Sequence, residues 1–299
     1  MPATSHLAGV WLAIVAAFGF SFKAILVKLA YAQASALPVE AITLLALRMV
    51  FAFPVFFAVA WRSSRAAAPL SRRDLGAVVV LGLLGYYIGV MLDFMGLRYI
   101  SAGLERLIAF TYPTMTVLLG AVLLRKRIVR REWIASALCY LGIAAAFMHD
   151  LSLNADAEAI WTGSALVLAS AVIYAFYLVG GGQLIGRIGP ARFTALAMLV
   201  STAASLAHFC LVRPLADLLQ PWPVLALALA LALFSTALPV FAQSAAMRHI
   251  GAGRAALIGS VGPMLTIGFG WWLLDETISL AQVFGAALVV AGVLVIGRR

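Results

Sequence analysis

Hydrophobic residues in this chain fall in runs of about 20, long enough to cross a bilayer and too unbroken by charge for the surface helices of a water-soluble protein. Ten runs are counted, at about 7–29, 38–61, 74–97, 101–124, 132–148, 160–182, 190–212, 222–246, 252–274 and 279–297. They do not alternate residue by residue, which argues against a barrel. Inside hydrocarbon the remaining way to satisfy backbone polar groups is the α-helix. The expected fold class is therefore an all-α integral membrane protein with ten transmembrane helices. Composition agrees: 65% of the 299 residues are hydrophobic and 11% are charged, where a soluble domain carries about 25% charged residues. The links are short, often marked by Pro or Gly, and leave no room for a soluble domain.

The chain also repeats itself. Shifted by 150 residues without a gap, Arg98 to Gly142 returns as Arg248 to Gly292. Matching pairs include Arg98/Arg248, Gly103/Gly253, Pro113/Pro263, Thr116/Thr266, Gly120/Gly270 and Gly142/Gly292. Apolar composition alone aligns many Leu and Ala residues, but not prolines, glycines and arginines in one register. Self-similarity at half the chain length reads as a duplicated unit, here residues 1–149 and 150–299. In membrane proteins such duplication points to a carrier.

Five spans per unit is an odd number, so the second unit enters the membrane from the opposite side and the repeats are expected to be inverted. Charge in the links sets the orientation. With the N-terminus inside, the inner links hold Arg62, Arg65, Arg72, Arg73, Arg125, Lys126, Arg127, Arg130 and Arg131, then Arg187, Arg192, Arg248, Arg254, Arg298 and Arg299. The outer side holds Lys28, Arg98, Arg106 and Arg213, and the link after span five is acidic through Asp150, Asp156 and Glu158. Both termini are expected to be cytoplasmic. The register makes the same point locally, since Arg125-Lys126-Arg127 aligns with Asp275-Glu276-Thr277.

The net charge of +10 is explained by that loop bias, and no basic-aromatic module for nucleic acid is present. Cys139 and Cys210 lie within apolar spans, which argues against a disulfide framework or metal knuckle. No basic n-region precedes the first span and no small-residue cleavage site follows it, so that span is expected to be retained. Enzyme motifs are missing: there is no His-Glu-x-x-His, Gly-x-Ser-x-Gly or Walker A sequence. Gly180-Gly181-Gly182 lacks the Lys-Ser/Thr that phosphate cradling needs, and His149-Asp150 has no nucleophile nearby in sequence. No catalytic residue, metal or cofactor is expected.

Ionisable groups inside spans are expensive and serve as functional candidates. Lys23 and Arg48 lie well within spans one and two, and Asp93 in the outer half of span three. At 1.5 Å per residue, Lys23 and Asp93 fall within about a turn of the same depth, close enough to pair or to guard the outer mouth. Snorkelling is the alternative for Lys23. Arg48 is too deep for that and requires a partner or a wet cavity. Glu105 and Arg106 open span four, where solvation near the interface is the simpler expectation. Tyr86 and Asp93 are seven residues apart and share a helical face, while Gly85-x3-Gly89 permits close helix approach. Phe110, Tyr112, Tyr174 and Tyr177 complete an aromatic set for a substrate cavity, and Gln243 in span eight is a weaker candidate, as are Trp271 and Trp272. Pro113 and Pro263, near the middle of spans four and nine, are either ordinary kinks or matched hinges that free the carbonyls of Ala109 and Gly259.

The segment Ala246 to Ala256, leading to Gly262-Pro263 and on through Trp272 to Ile278 and Gly285-Ala286-Ala287, resembles the EamA repeat of the drug/metabolite transporter superfamily. Residues Gly96 to Gly142 look like its first copy. The acidic position after the proline helix is filled by Glu276 in the second copy and by Lys126 in the first. Within the superfamily the chain is similar to the YddG-type exporters of aromatic and related amino acids. The resemblance implies ten helices in inverted halves, a central cavity, and ATP-independent export from the cytoplasm. The expected protein is a multi-pass carrier of the cell inner (plasma) membrane; its inverted duplication supports moving small metabolites by alternating access, with helices three, four, eight and nine rocking about Pro113 and Pro263. Amino acids, aromatic ones included, are the expected cargo. The tyrosines would stack on an aromatic substrate, and Lys23, Arg48 or Asp93 would meet its carboxylate or ammonium. Another small metabolite or a toxic organic cation on the same fold is the alternative, as is a passive channel. The expected partners are the substrate and the lipid bilayer. A single chain already holds both halves, so a monomer suffices.

Overall fold

The computed structural model describes residues 3–33, 39–65, 67–125, 128–153 and 156–297. The described chain is helical almost throughout. Helices α1 (Ala3–Tyr31), α2 (Ala41–Arg65) and α3 (Arg72–Gly82) come first, and α3 runs through a π-helical turn, Leu83–Ile88, into α4 (Gly89–Gly96). Next are α5 (Ala102–Ala109), α6 (Tyr112–Leu124), α7 (Arg130–Leu153), α8 (Ala157–Ile188) and α9 (Pro190–Val212). A 3-10 turn, Leu215–Leu218, leads to α10 (Trp222–Ala232), which passes through a second π-helical turn, Leu233–Ala237, into α11 (Leu238–Ile250). The chain closes with α12 (Ala252–Gly259), α13 (Gly262–Leu274) and α14 (Leu280–Gly297).

Among the described residues, eight helical stretches are long and apolar enough to cross a membrane, and Leu280–Val295 is a shorter apolar helix. The span expected over 252–274 is taken by α12 and α13, and the one over 279–297 by α14. Outward-facing side chains are as apolar as the core: Trp11, Phe57, Trp61, Leu211 and Phe284 are all exposed, a surface suited to hydrocarbon. Polar residues mark the ends. Ser71, Ser101 and Asp156 cap α3, α5 and α8 by accepting from the N–H groups of Asp74, Leu104 and Ala159. Between α8 and α9 the backbone turns at Gly189, where φ is +83°, and Pro190 starts the next helix.

The structure repeats its devices at the interval seen in the sequence. The π-helical turns begin at Leu83 and Leu233, and the left-handed residues that end α6 and α13 are Arg125 and Asp275. Helix pairing is reciprocal. α1 packs along α11, and α8 along α4. A Cβ placed on Gly9 of α1 would meet His249 and Ile250 at 2.6 Å, and one on Gly163 of α8 would meet Tyr99 at 2.7 Å and Ile100 at 2.8 Å. The glycine stripe on span three serves the same contact: Gly85 faces the Tyr177 ring, Gly89 faces Ile173 and Gly96 faces Val167, all on α8.

α7 and α14 pack along one another most closely. Gly142 and Gly285 meet backbone to backbone, so that a Cβ on either would collide with the other's carbonyl oxygen. Gly292 lies against Cys139 and Ala135, and the Cys139 thiol donates to the Val289 carbonyl at 3.7 Å, its equivalent one repeat away. Gly142→Ala and Gly285→Ala are each expected to destabilise the protein by about 1–3 kcal/mol. Gly120→Ala is the control, since nothing lies within 4 Å of its added Cβ. Thermal unfolding of the detergent-purified variants checks this: equal midpoints for all three would mean that α7 and α14 do not meet here.

Candidate functional site

Buried charge gathers where α1, α4 and α5 meet. The Lys23 ammonium on α1 donates to Asp93 Oδ2 on α4 at 2.7 Å and to Glu105 Oε1 on α5 at 3.0 Å. Glu105 is fully buried and Asp93 nearly so. Lys23 therefore does not snorkel but sits between two carboxylates. Two ionised carboxylates side by side in an apolar interior would repel, and the ammonium between them compensates both. The expectation of solvated residues at the head of span four is corrected here: Glu105 is in the core, and Arg106 is half-buried. Ser101 caps α5 from the Leu104 N–H, which fixes the first turn and turns Glu105 inward toward α1.

Arg48 on α2 is buried and donates from Nε to the Thr236 hydroxyl at 2.9 Å, with its guanidinium 5.7 Å from the Phe94 ring centre. Thr236 lies in the second π-helical turn, and its hydroxyl donates to the Leu231 carbonyl five residues back. Tyr86 occupies the equivalent place, 150 residues earlier, in the first π-helical turn. π-Turns re-aim side chains that a regular helix would point elsewhere and recur at functional sites. Here they aim Tyr86 and Thr236 at the interior.

The aromatic residues form a ladder. Phe193, Tyr177 and Tyr174 stack with centroids 5.6 and 5.5 Å apart. Tyr174 meets Tyr112 edge-on at 5.3 Å, and Tyr112 meets Phe110 at 6.0 Å. Tyr86 joins from the side, its hydroxyl 3.1 Å from that of Tyr177. Arg106 lies over the far end, 4.9 Å from the Phe110 centre. The structure thus brings Tyr86, Phe110, Tyr112, Tyr174 and Tyr177 together, and joins Lys23 to Asp93. Gln243, one repeat from Asp93, is half-buried on α11, and among the described residues no hydrogen bond ties it to either group.

Pro113 and Pro263 call for a correction of detail. Neither sits inside a continuous helix. Each falls in the first turn of a new one, α6 and α13, after the chain has broken at Phe110–Thr111 and Ser260–Val261. A proline at a helix start costs little, because its missing N–H would have no intrahelical partner there. Thr111 eases the first break by donating from Oγ1 to the Ile108 carbonyl at 2.8 Å.

At the end of the bundle that holds the links after α4 and α13 lies a polar cleft of about 330 Å³, lined by Lys28, Arg98, Ser101, Asp150, Glu276 and Gln282 among others. Glu276 accepts from the Ala102 N–H at 2.9 and 3.1 Å and pairs with Lys28 at 3.0 Å. It serves as an additional cap for α5, supplied from the other end of the sequence. Asp150 accepts from Ser101 Oγ at 2.6 Å and from Gln282 Nε2 at 3.0 Å. These bonds tie α5 to α7 and α14, which accounts for Asp150 without any chemistry. Among the charged residues, Glu105 departs furthest from its sequence expectation, being fully buried. An acid one turn past a capping Ser, in an otherwise apolar stretch, was its signal.

The model of the EamA-like transporter family matches residues 7–148 and again 161–298. The chain is 28% identical over 286 residues to the Bacillus subtilis uncharacterized transporter YcbK, covering 93% of this chain and 89% of the relative. It is 25% identical over 305 residues to an uncharacterized transporter of Synechocystis, covering 95% and 91%. The threonine/homoserine exporter RhtA of Salmonella typhimurium is 25% identical over 204 residues, 67% of this chain and 64% of that protein. One crystal structure superposes with a TM-score of 0.63 at 21% identity, covering 99% of this chain and 97% of that one, a likeness of fold. With apolar helices throughout and the family model matched along nearly its whole length, this multi-pass membrane protein is a transporter rather than an enzyme and belongs to the EamA-like transporter family.

Proposed function

We propose that the protein is a secondary, ATP-independent exporter of small metabolites, amino acids including aromatic ones, in the cell inner (plasma) membrane. In this reading the chain crosses the bilayer ten times. The crossings beyond the eight long spans are α12–α13 and α14, and both termini are cytoplasmic. The halves, 1–149 and 150–299, are inverted repeats that exchange conformations in alternating access. The reciprocal packing of α1 on α11 and α8 on α4 supports that exchange.

The observation that carries the reading is the meeting of a buried charge cluster with an aromatic ladder beside two helices broken at equivalent points. Broken helices at membrane depth are tolerated where they are buried in protein or line a cavity, and they are the usual substrate-binding element of transporters. Rings at 5–6 Å spacing suit an aromatic side chain, and Lys23, Asp93 and Arg48 suit the charged ends of an amino acid. The relative RhtA, named as a threonine/homoserine exporter, favours amino acids as the class. A YddG-like preference for aromatic ones rests on the tyrosines. In this scheme Pro113 and Pro263 mark the hinges. One chain suffices, with the substrate and the bilayer as partners.

Counterflow tests it. Proteoliposomes preloaded with unlabelled amino acids are expected to accumulate labelled phenylalanine transiently, with competition by threonine. Tyr86→Ala and Asp93→Ala are expected to abolish the accumulation. No accumulation of phenylalanine or threonine by well-folded protein would overturn the amino-acid reading.

The charge cluster gives a second expectation. Lys23→Met leaves Asp93 and Glu105 facing each other and should lower stability by about 3–5 kcal/mol. Adding Glu105→Gln removes one of the two charges and should recover part of that loss. Thermal unfolding of the single and double variants measures both, and an unchanged midpoint for Lys23→Met would mean that the cluster is not buried as described.

A further inference from the structure

The charges inside the bundle do not balance. Lys23, Arg48 and Arg106 face Asp93 and Glu105, three cations against two carboxylates. Both carboxylates are bonded by Lys23. Arg48 is held through Nε by Thr236 and lies by the face of Phe94, although its Nη1 is buried without a partner. Arg106 makes no hydrogen bond and no ion pair among the described residues, and its Nε is buried without a partner. It lies over the Phe110 ring, 4.9 Å from the ring centre.

An arginine at this depth is costly, and membrane proteins keep one only where an anion, a carbonyl or water receives it. The surroundings of Arg106 favour an anion. A Cβ on Gly262 would lie 3.1 Å from Arg106 Nη2 and 3.2 Å from Phe110 Cζ, so the guanidinium runs across the start of α13. That helix end adds positive potential. Gly262 leaves room for the guanidinium where its equivalent in the first half, Tyr112, fills the space with a ring. The planar fork of an arginine matches a carboxylate in two parallel hydrogen bonds. The ladder that starts at Phe110 and continues through Tyr112 and Tyr174 offers ring faces to an apolar or aromatic remainder. One excess positive charge is balanced by one carboxylate, and a zwitterion places its carboxylate on the guanidinium while leaving the net charge unchanged. An organic cation would raise the excess instead.

We infer that Arg106 is the anchor for a substrate carboxylate, so that the protein carries small monocarboxylates with apolar or aromatic side chains, amino-acid zwitterions included, and not organic cations. This deepens the transport reading and rests on it for the role of the site. The binding chemistry stands on the geometry of Arg106.

Calorimetric titration of the full chain, purified in detergent, tests the inference with 3-phenylpropionate, phenylalanine and phenethylamine, which share a ring and differ in headgroup. The two carboxylates are expected to bind and the amine not. R106Q is expected to weaken both carboxylates by about tenfold to a hundredfold, and R106K by less, with ligand-free unfolding midpoints like the wild type. Phenethylamine binding as tightly as phenylalanine, unchanged carboxylate affinity in R106Q, or no binding of either carboxylate would each overturn the anchor. The wild-type comparison decides by itself if R106Q does not fold. Arg106-dependent carboxylate binding without phenylalanine counterflow would sink the amino-acid transport reading and leave the anchor. Counterflow with binding indifferent to R106Q would do the reverse.

Discussion

Hydrocarbon offers no hydrogen bonds, and that constraint shapes every element of this structure. Each backbone N–H and C=O must be satisfied within the protein, so the apolar runs become helices and departures from regular helix need local compensation. The departures seen are few and specific. Two π-helical turns shift the register without losing the ladder of hydrogen bonds, and the Thr236 hydroxyl satisfies the Leu231 carbonyl in one of them. Full breaks occur at Phe110–Thr111 and Ser260–Val261, where the following proline has no N–H to leave unpaired. At the membrane-end turn before α5, Glu276 supplies carboxylate oxygens to the Ala102 N–H. Irregularity is thus concentrated where a side chain or a proline removes its cost.

The frame is symmetric and the chemistry is not. Glycines at Gly9 and Gly163, the π-helical turns and the left-handed residues Arg125 and Asp275 recur in both halves. Asp93 has Gln243 as its equivalent, Glu105 has Ala255, and Tyr112 has Gly262. Packing positions tolerate little change, because a methyl group in a backbone contact forces the helices apart. Residues outside such backbone contacts are under no such geometric demand. Duplication followed by divergence therefore keeps small residues in register and lets the charged and aromatic ones drift to one side.

That division also explains what could be read from the amino-acid sequence. The helical membrane class, the repeat interval and the glycine contacts follow from periodicity and residue size, which act locally. Lys23 and Asp93 fall at one depth because rise per residue is nearly constant, and the structure puts 2.7 Å between them. The sequence around Glu105 points to solvent because Glu105 and Arg106 together open a span at the interface. Its burial depends on α1 arriving from elsewhere with an ammonium, which no local pattern contains. The helix break before Pro113 was read as a kink for a similar reason: sequence gives the proline but not whether the turn before it stays helical. Thr236 escaped notice because an isolated threonine in an apolar helix has no period, and only the π-turn aims it at Arg48.

The position of Lys23 restricts which parts can move under the proposed alternating access. α1 packs against α11 and α13 of the second half of the sequence, whereas Asp93 and Glu105 belong to the first. Separating α1 from α4 and α5 would leave the ammonium and two carboxylates without partners in a medium that charges several kcal/mol for each. Lys28, one turn further along α1, adds its pair with Glu276 and its bond to the Ile100 carbonyl at 2.9 Å. α1, α4 and α5 are therefore expected to stay together as one body. Bending is cheapest where backbone bonds are already missing, at the breaks before Pro113 and Pro263. On this reading α6 moves against that body, while α13 stays tied to α1 by the Ser21 hydroxyl on the Gly262 carbonyl and the Thr266 hydroxyl on the Ser21 carbonyl, and the aromatic ladder, which crosses from α8 to α6 between Tyr174 and Tyr112, is the contact that opens.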